Sequence, residues 1–396
     1  MRILIPGIDG YLGWALAQYL AERGHQVGGV DAGFRRQWVQ EMGSRSAIPI
    51  AEMPARLAAF EERWGQRLFY QQGDLTDWDF IQRIFKEFRP EAIIHLGQCP
   101  SAPYSMIDRQ HAVWVQTNNI MGNLNMLYAM HELAPEAHLV KLGTMGEYGT
   151  PAMDIPEGFF EVEFRGKKDR LPFPRQAGSW YHQSKVHDSN NTMLACKIWG
   201  LRVTDIMQGV VYGTRVDGLE SDERLFTRLD FDEAFGTAIN RFACQAVIAA
   251  PLTLYGSGHQ KRGFLPLRDS LQCLALAVEN PPLEGEDNYR VFNMFEEVYN
   301  VVELAGKVAS AAAGLGLNPQ VRHIENPRLE MEEHYYRPDR QHLLDLGYQP
   351  THDMEAELRL MLTDLLRYSG RIEEVKEVLL PRIRWDGSRR QSTYLD

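Results

Sequence analysis

Cysteine is scarce here: Cys99, Cys196, Cys244 and Cys273 are the four present, widely spaced and without a Cys-x-x-Cys pair. That argues against a disulfide scaffold or a cysteine zinc site and for free thiols in a reducing compartment; no metal centre is expected. No apolar run approaches the roughly 18 residues of a membrane span, so no membrane partner is expected. Positive charge is also short, 42 basic against 53 acidic residues for a net charge of -11. A general nucleic-acid binder is thereby disfavoured, while a local phosphate site is not. Low-complexity segments and internal repeats are missing, which removes solenoids and linkers from consideration. No basic and hydrophobic leader precedes the first apolar segment, so cytoplasmic residence is the expectation. The basic SRRQ stretch at 388–391 reads as a disordered surface tail.

What is present starts at once. Residues 2–6 (RILIP) form a buried-strand pattern, followed by GIDGYLG and an amphipathic helix running to Arg23. Further strands are expected at 26–30, 92–96 and 139–142, with helices at 78–88 and 111–133 between them. This alternation predicts an α/β fold, a Rossmann-type doubly wound parallel sheet with helices on both faces. DIPEGFF and LPFPRQAGS read as a loop-rich insertion before the helix that carries Tyr181. From about Gly213 the rhythm breaks down. Residues 1–212 are therefore expected to be mainly a dinucleotide-binding domain and 213–396 mainly a smaller, discontinuous substrate-binding region, with NYRVFNMF returning a strand to the first sheet.

Gly7, Gly10 and Gly13 have the spacing of a dinucleotide turn: the central glycine admits a pyrophosphate, the last lets helix and strand touch, and the helix N-terminus beginning at Tyr11 and Leu12 faces the phosphates. Asp31, at the end of the second strand, is placed to accept from adenosine ribose hydroxyls and to repel a 2′-phosphate, which favours NAD over NADP. Arg35 and Arg36 pull the other way. Asp74 and Leu75, after YQQG, are expected beside the adenine. The chemistry is carried by Tyr181 and Lys185, a Tyr-x-x-x-Lys pair on one helix face, with the lysine and a nicotinamide lowering the phenol pKa so that it can take a hydroxyl proton, and with the lysine also able to bond the nicotinamide ribose. Thr144, ending the strand before GEYG, orients the same hydroxyl. Cys99 reads as a small buried thiol.

The segments GIDGYLGWA, AGFRR, SAPYSMIDR, LGTMGEYGTP, YHQSKVHDS, QGVVYG and EEHYY span nearly the whole chain, and with them it resembles the extended short-chain dehydrogenases/reductases of the nucleotide-sugar epimerase/dehydratase family, most closely their UDP-sulfoquinovose synthase branch. The resemblance implies an NAD-dependent enzyme acting on a nucleoside-diphosphate sugar, first a UDP-hexose, and a homodimer. In that branch the hexose is oxidised at C4, loses its C5 proton and its C6 hydroxyl as water, takes up sulfite at C6, and recovers hydride at C4. Carried onto this chain, Thr144, Tyr181 and Lys185 serve C4, and Glu147 and His182 position groups or transfer protons near C5 and C6. Met145 borders the apolar side of the pocket; Gln98, Ser101, Gln208, Asn240, Arg241, Arg262, Arg268 and Arg328 contact substrate, Asn240 and Arg241 at the nucleotide and Arg262 or Arg268 at the diphosphate.

The chain departs from that pattern in two places. Gln98-Cys99-Pro100 stands where the branch has a Glu-Gln-Arg-like segment before SAPYSM, and Pro266 stands in LPLRD where an aspartate is expected. Losing the arginine removes an anion-positioning charge, so sulfite use is less firmly implied than C4 oxidation. A 4-epimerase and a 4,6-dehydratase remain open, as does a non-enzymatic NAD-binding protein that would not need Thr144, Tyr181 and Lys185 around a sugar.

Overall fold

The computed structural model describes residues 1–396 apart from 219–220, 332 and 396, so Glu332 of the EEHYY segment lies outside the described residues. Five strands build the first part of the main sheet: β1 (Arg2–Pro6), β2 (Gln26–Asp31), β3 (Phe69–Gln72), β4 (Ala92–His95) and β5 (His138–Thr144). Strands Arg202–Gln208 and Tyr289–Met294 complete it. The seven lie in the spatial order Tyr289–Met294, Arg202–Gln208, β5, β4, β1, β2, β3, and every pairing is parallel. The order reverses between β1 and β4, and a crevice opens there beyond the carboxyl ends of the strands, the usual ligand position in such sheets.

Both faces of the sheet are covered, as the buried central strands β1, β4 and β5 require. On one face α1 (Tyr11–Glu22) and the helix Leu267–Glu279 share a core built on Trp14, Leu16, Leu271 and Leu274. On the other, helix Trp78–Phe88 buries Phe80, Ile81, Ile84, Phe85 and Phe88 against Leu127 and Met130 of helix Gly122–Leu133. The Asp77 side chain accepts from Phe80 N at its start, and Arg89 in left-handed conformation stops it. A third core, around Phe231, Phe242, Leu304, Met361 and Leu362, belongs to the region that closes over the crevice. Its strands are Leu252–Tyr255 beside Val321–Ile324, and Lys261–Pro266 between Val210–Tyr212 and Glu297–Asn300.

Three elements differ from the sequence expectation. The helix expected over 111–133 is two helices, Arg109–Gln116 and Gly122–Leu133, joined by a π-helical turn at Thr117–Met121. The expected loop-rich insertion holds an antiparallel hairpin, Phe159–Phe164 with Lys167–Pro172, turning at Arg165-Gly166 with both residues at positive φ. The SRRQ tail is not a loose end: Arg390 and Arg384 both pair with Glu325, and Tyr394 bridges to Ile324.

Candidate active site

The crevice is a cleft of about 560 Å³ running from the Gly7 turn to Trp385. At its β1 end, Gly7 has φ +87°, and a Cβ there would sit 2.6 Å from the Leu96 carbonyl. A Cβ at Gly13 would lie 2.2 Å from the Gly7 carbonyl oxygen, so α1 leaves the strand at a contact only glycine permits. At Gly10 a Cβ meets just the Gly7 oxygen, at 3.1 Å, and the remaining space faces the cleft. Backbone there can approach a phosphate closely, at the N-terminus of a 12-residue helix with no acidic side chain in its first turn. Tyr11, Leu12, Asp74 and Leu75 line the same end; Asp74 also braces its own turn by accepting from Thr76 N at 2.8 Å.

Asp31 faces the cleft from the end of β2 and accepts from Asp9 N at 2.9 Å and Gly33 N at 2.7 Å. Burial and the neighbouring Asp9 push its carboxyl up to about 6. The two arginines that argued for NADP are both engaged by carboxylates. Arg36 lies off the cleft and grips Asp9 at 2.6 and 3.0 Å, with Arg56 meeting the same carboxylate at 2.7 Å from its buried side. Arg35 pairs with Asp230 and stacks on Phe235, 4.2 Å from the ring centroid. The residues present therefore fit NAD: an open glycine cradle, a helix N-terminus and a ribose-facing carboxylate whose cationic neighbours are already neutralised.

The reactive end is set by β5 and the long helix Trp180–Trp199. Ser179 caps that helix by accepting from His182 N at 3.2 Å, and Gly200 at φ +70° ends it. Tyr181, Lys185 and His182 all line the cleft, facing Thr144 and Met145. The Lys185 ammonium donates to the Leu142 carbonyl at 2.6 Å and to Gln98 Oε1. Burial lowers it to about 8. Burial, followed by the charge of Glu147, raises the Tyr181 phenol above its ordinary value, while the Lys185 ammonium bonds two carbonyl oxygens. His182 is pushed down to about 3 by burial, with Arg262 and Arg328 adding to the effect, so its imidazole is neutral at physiological pH. Its ring lies over Gly146, where a Cβ would meet Nε2 at 2.4 Å.

Four expected site residues stand apart from the cleft surface. Glu147 is fully buried beneath Thr144, accepting from Thr144 N at 3.2 Å and Ser189 Oγ at 3.0 Å while pairing with Arg175 at 2.6 Å. It braces the floor and does not reach the cleft surface. Ser101 donates to the Ala234 carbonyl at 2.6 Å and caps a helical turn at Tyr104 N. Arg268 is committed to Glu357 and Asp217, away from the cleft, so it is no diphosphate ligand. Arg36 is the fourth, as above.

At the far end Gln208, Asn240, Arg241, Arg262 and Arg328 all reach the cleft. Arg241 is fixed by the Tyr255 hydroxyl at 2.5 Å and the Thr253 carbonyl at 2.8 Å, and Arg262 by Glu330 at 2.9 Å and His334 at 2.6 Å. Arg328 stands between the rings of Tyr255 and Trp385, at 5.7 and 5.6 Å. Buried oxygens of Gln208 and Asn240 carry no partner within the protein, as polar groups awaiting a ligand do. Sequence reading missed Arg56, Arg175 and Trp385, whose partners lie far off in the chain. Asp9 inside the glycine turn was the one local signal that a buried cation would be needed.

The chain matches the family model described as the NAD dependent epimerase/dehydratase family over residues 3–294. It is 47% identical over 386 residues to UDP-sulfoquinovose synthase of Sulfolobus acidocaldarius, covering 97% of this chain and 98% of that one. It is 44% identical to the chloroplastic UDP-sulfoquinovose synthase of Spinacia oleracea, covering 97% and 79%. Among solved structures, UDP-glucuronic acid 4-epimerase of Bacillus cereus, in complex with UDP-glucuronic acid and NAD, shares the fold at TM-score 0.68 and 18% identity, covering 93% and 99%. Taken with the glycine turn, the carboxylate of β2 and the tyrosine–lysine helix, these likenesses establish that the chain belongs to the NAD-dependent epimerase/dehydratase family.

Proposed function

We propose that the protein converts a UDP-hexose, first UDP-glucose, through a 4-keto sugar to its C6-sulfonated counterpart, with sulfite as co-substrate. The observation that carries this is the meeting of Thr144, Tyr181 and Lys185 in one cleft with the glycine turn at one end and arginines at the other, in a chain 47% identical to a UDP-sulfoquinovose synthase. NAD, when bound along Gly7 to Leu12, supplies the hydride acceptor and donor. The chain's own residues supply the rest.

Arg328 and the carboxamides of Gln208 and Asn240 hold the nucleotide diphosphate and sugar, leaving the hexose against Thr144. The Thr144 hydroxyl orients the C4 hydroxyl, and the Tyr181 phenolate takes its proton. Burial opposes that ionisation, so the positive charge of Lys185 and of the bound cofactor must stabilise the phenolate. With a carbonyl at C4, the C5 proton becomes acidic, and neutral His182 is the base beside it. Loss of the C6 hydroxyl as water then leaves an alkene carbon that sulfite can attack. Met145 and Tyr336 help exclude bulk water from this end.

The four cysteines are buried and unpaired, in keeping with a reducing compartment. Among the described residues no helix is long and apolar enough to cross a membrane. Exposed apolar side chains form a stripe on two neighbouring helical segments, with Val113, Met121 and Tyr128 on one and Leu194 and Ile198 on the other. This stripe is the surface through which a two-fold homodimer would form.

The test is incubation of the NAD-loaded protein with UDP-glucose, with and without sulfite, followed by product mass and NMR. Sulfite-dependent C6 sulfonation is expected. A product of unchanged mass with inverted C4 would assign a 4-epimerase instead, the reading that Pro100 in place of the branch's arginine keeps open, and a 4-keto-6-deoxy sugar would assign a dehydratase.

A further inference from the structure

Gln98, which lines the cleft, meets Asp188 beneath it, and neither has a part in the steps above. Gln98 lies in the turn after β4, and Asp188 is three residues beyond Lys185, on the same side of helix Trp180–Trp199. The Gln98 amide links them. Its Nε2 donates to Asp188 Oδ2 at 2.5 Å and to the Asn119 carbonyl at 3.1 Å, and its Oε1 accepts from Lys185 Nζ. The Asn119 carbonyl comes from the π-helical turn, a distortion often found at functional sites. Both partners of Nε2 are acceptors, so a flipped amide would set oxygen against oxygen; the chemistry fixes its orientation. With Leu142 O also bound at 2.6 Å, Lys185 has one of its three N–H donors left.

The surrounding charges are matched in pairs. Lys141 of β5 meets Asp205 of strand Arg202–Gln208 at 2.9 Å, and Glu147 of the turn after β5 meets Arg175 at 2.6 Å. Neutral His95 of β4, the Cys99 thiol, pushed up to about 12, and the Tyr181 phenol complete the surroundings. Asp188 is thus the carboxylate left to balance Lys185. Burial pushes the two toward neutrality, Asp188 up to about 7 and Lys185 down to about 8, and each charge supports the other.

We propose that Asp188 and Gln98 form a positioning couple for Lys185: Asp188 fixes the amide and supplies the counter-charge, and Gln98 holds the ammonium so that its remaining donor points to the nicotinamide ribose. An amide does not relay protons as a hydroxyl or imidazole does, so the couple sets position and charge and conducts nothing. This inference rests on the functional reading above, which gives Lys185 its task.

Asp188→Asn keeps an acceptor for Gln98 and deletes the charge. In the NAD-loaded protein mixed with UDP-glucose, the alkaline limb of kcat for transient nicotinamide reduction should move down by about one pH unit, with KM changed less than about twofold. The titration of Lys185, followed by NMR of protein labelled at lysine Cε and assigned with Lys185→Arg, should move in step. Gln98→Met should lower kcat about tenfold, and adding Asp188→Asn to it should still move the limb down, since the counter-charge acts on Lys185 through space. Superimposable pH limbs and Lys185 titrations in wild type and Asp188→Asn would overturn the couple. If Asp188→Asn does not fold, an unaltered titration and kcat in Gln98→Met would do the same. A shifted titration in a protein that never reduces its nicotinamide would uphold the couple and count against the functional reading.

Discussion

Tyr181 reaches the cleft from the first turn of a helix whose next turn carries Lys185, and burial raises its phenol until a neighbouring positive charge offsets it. Tyr181→Phe should therefore retain NAD and substrate but lower the rate of nicotinamide reduction by about 10² to 10⁴, measured by stopped flow in the loaded protein. Asp31 gives a pH-dependent case. Its carboxyl, raised to about 6, is charged above that pH and repels a 2′-phosphate. Preference for NAD over NADP, measured by calorimetric titration of stripped protein, should narrow as pH falls through about 6, and Asp31→Ala should show a narrow preference at every pH. Residues defined by local spacing were legible in the sequence: the three glycines, the tyrosine–lysine pair and the strand-end aspartate. Glu147, Arg36 and Arg268 were misread because their partners Arg175, Asp9 and Glu357 come from segments whose proximity only the fold creates.

At the level of elements, periodicity carried well where one face is apolar and a cap is present. Helix Trp78–Phe88 begins and ends where its pattern and Asp77 put it. The π-helical turn went unseen because its cause is tertiary: Asn118 and Asn119 are buried there, and the Asn119 side chain bonds Cys99 and Ser184. The hairpin went unseen because charges dominate it and strand Lys167–Pro172 is exposed throughout. The turn at Met145–Glu147 is held by a capping box from Thr144 and by the buried Glu147–Arg175 pair. Glu147→Gln leaves a cation buried without its counter-charge. It should cost about 3 to 5 kcal/mol in a urea denaturation, whereas replacing the exposed Glu163, paired with Lys168, should cost under about 1 kcal/mol.

For the whole molecule, opposed sets of groups govern the response to acid. His95, His138 and His182 are each pushed down to about 3 by burial, so the unfolded chain takes their protons first and stability falls between about pH 6.5 and 3. Asp31 and Asp232, raised to about 6, and Asp188, raised to about 7, take protons first in the folded chain, which stabilises it as pH falls from there toward 3.8. Denaturation midpoints should stay nearly level between about pH 6 and 4.5 and drop steeply below 4, where the histidine effect persists and carboxylates held low by their cationic partners, among them Asp205, Asp230 and Glu330, lose their charge. The parallel sheet was readable from the alternation of strands and helices; the closing region was not, because its strands are short and pair across long stretches of chain. The homodimer proposed through the apolar stripe predicts that Leu194→Glu with Ile198→Glu gives a monomer in sedimentation while NAD binding is kept.

A carbonyl made reversibly at C4 of the sugar is the step on which the functional reading depends. The most direct measurement mixes NAD-loaded protein with UDP-glucose deuterated at C4 and follows the absorbance of reduced nicotinamide. A rise and decay slowed by the deuterium, with the label recovered at C4 of the product, is the expected result. No transient and no isotope effect, in protein shown to hold NAD and to bind the sugar nucleotide, would contradict it.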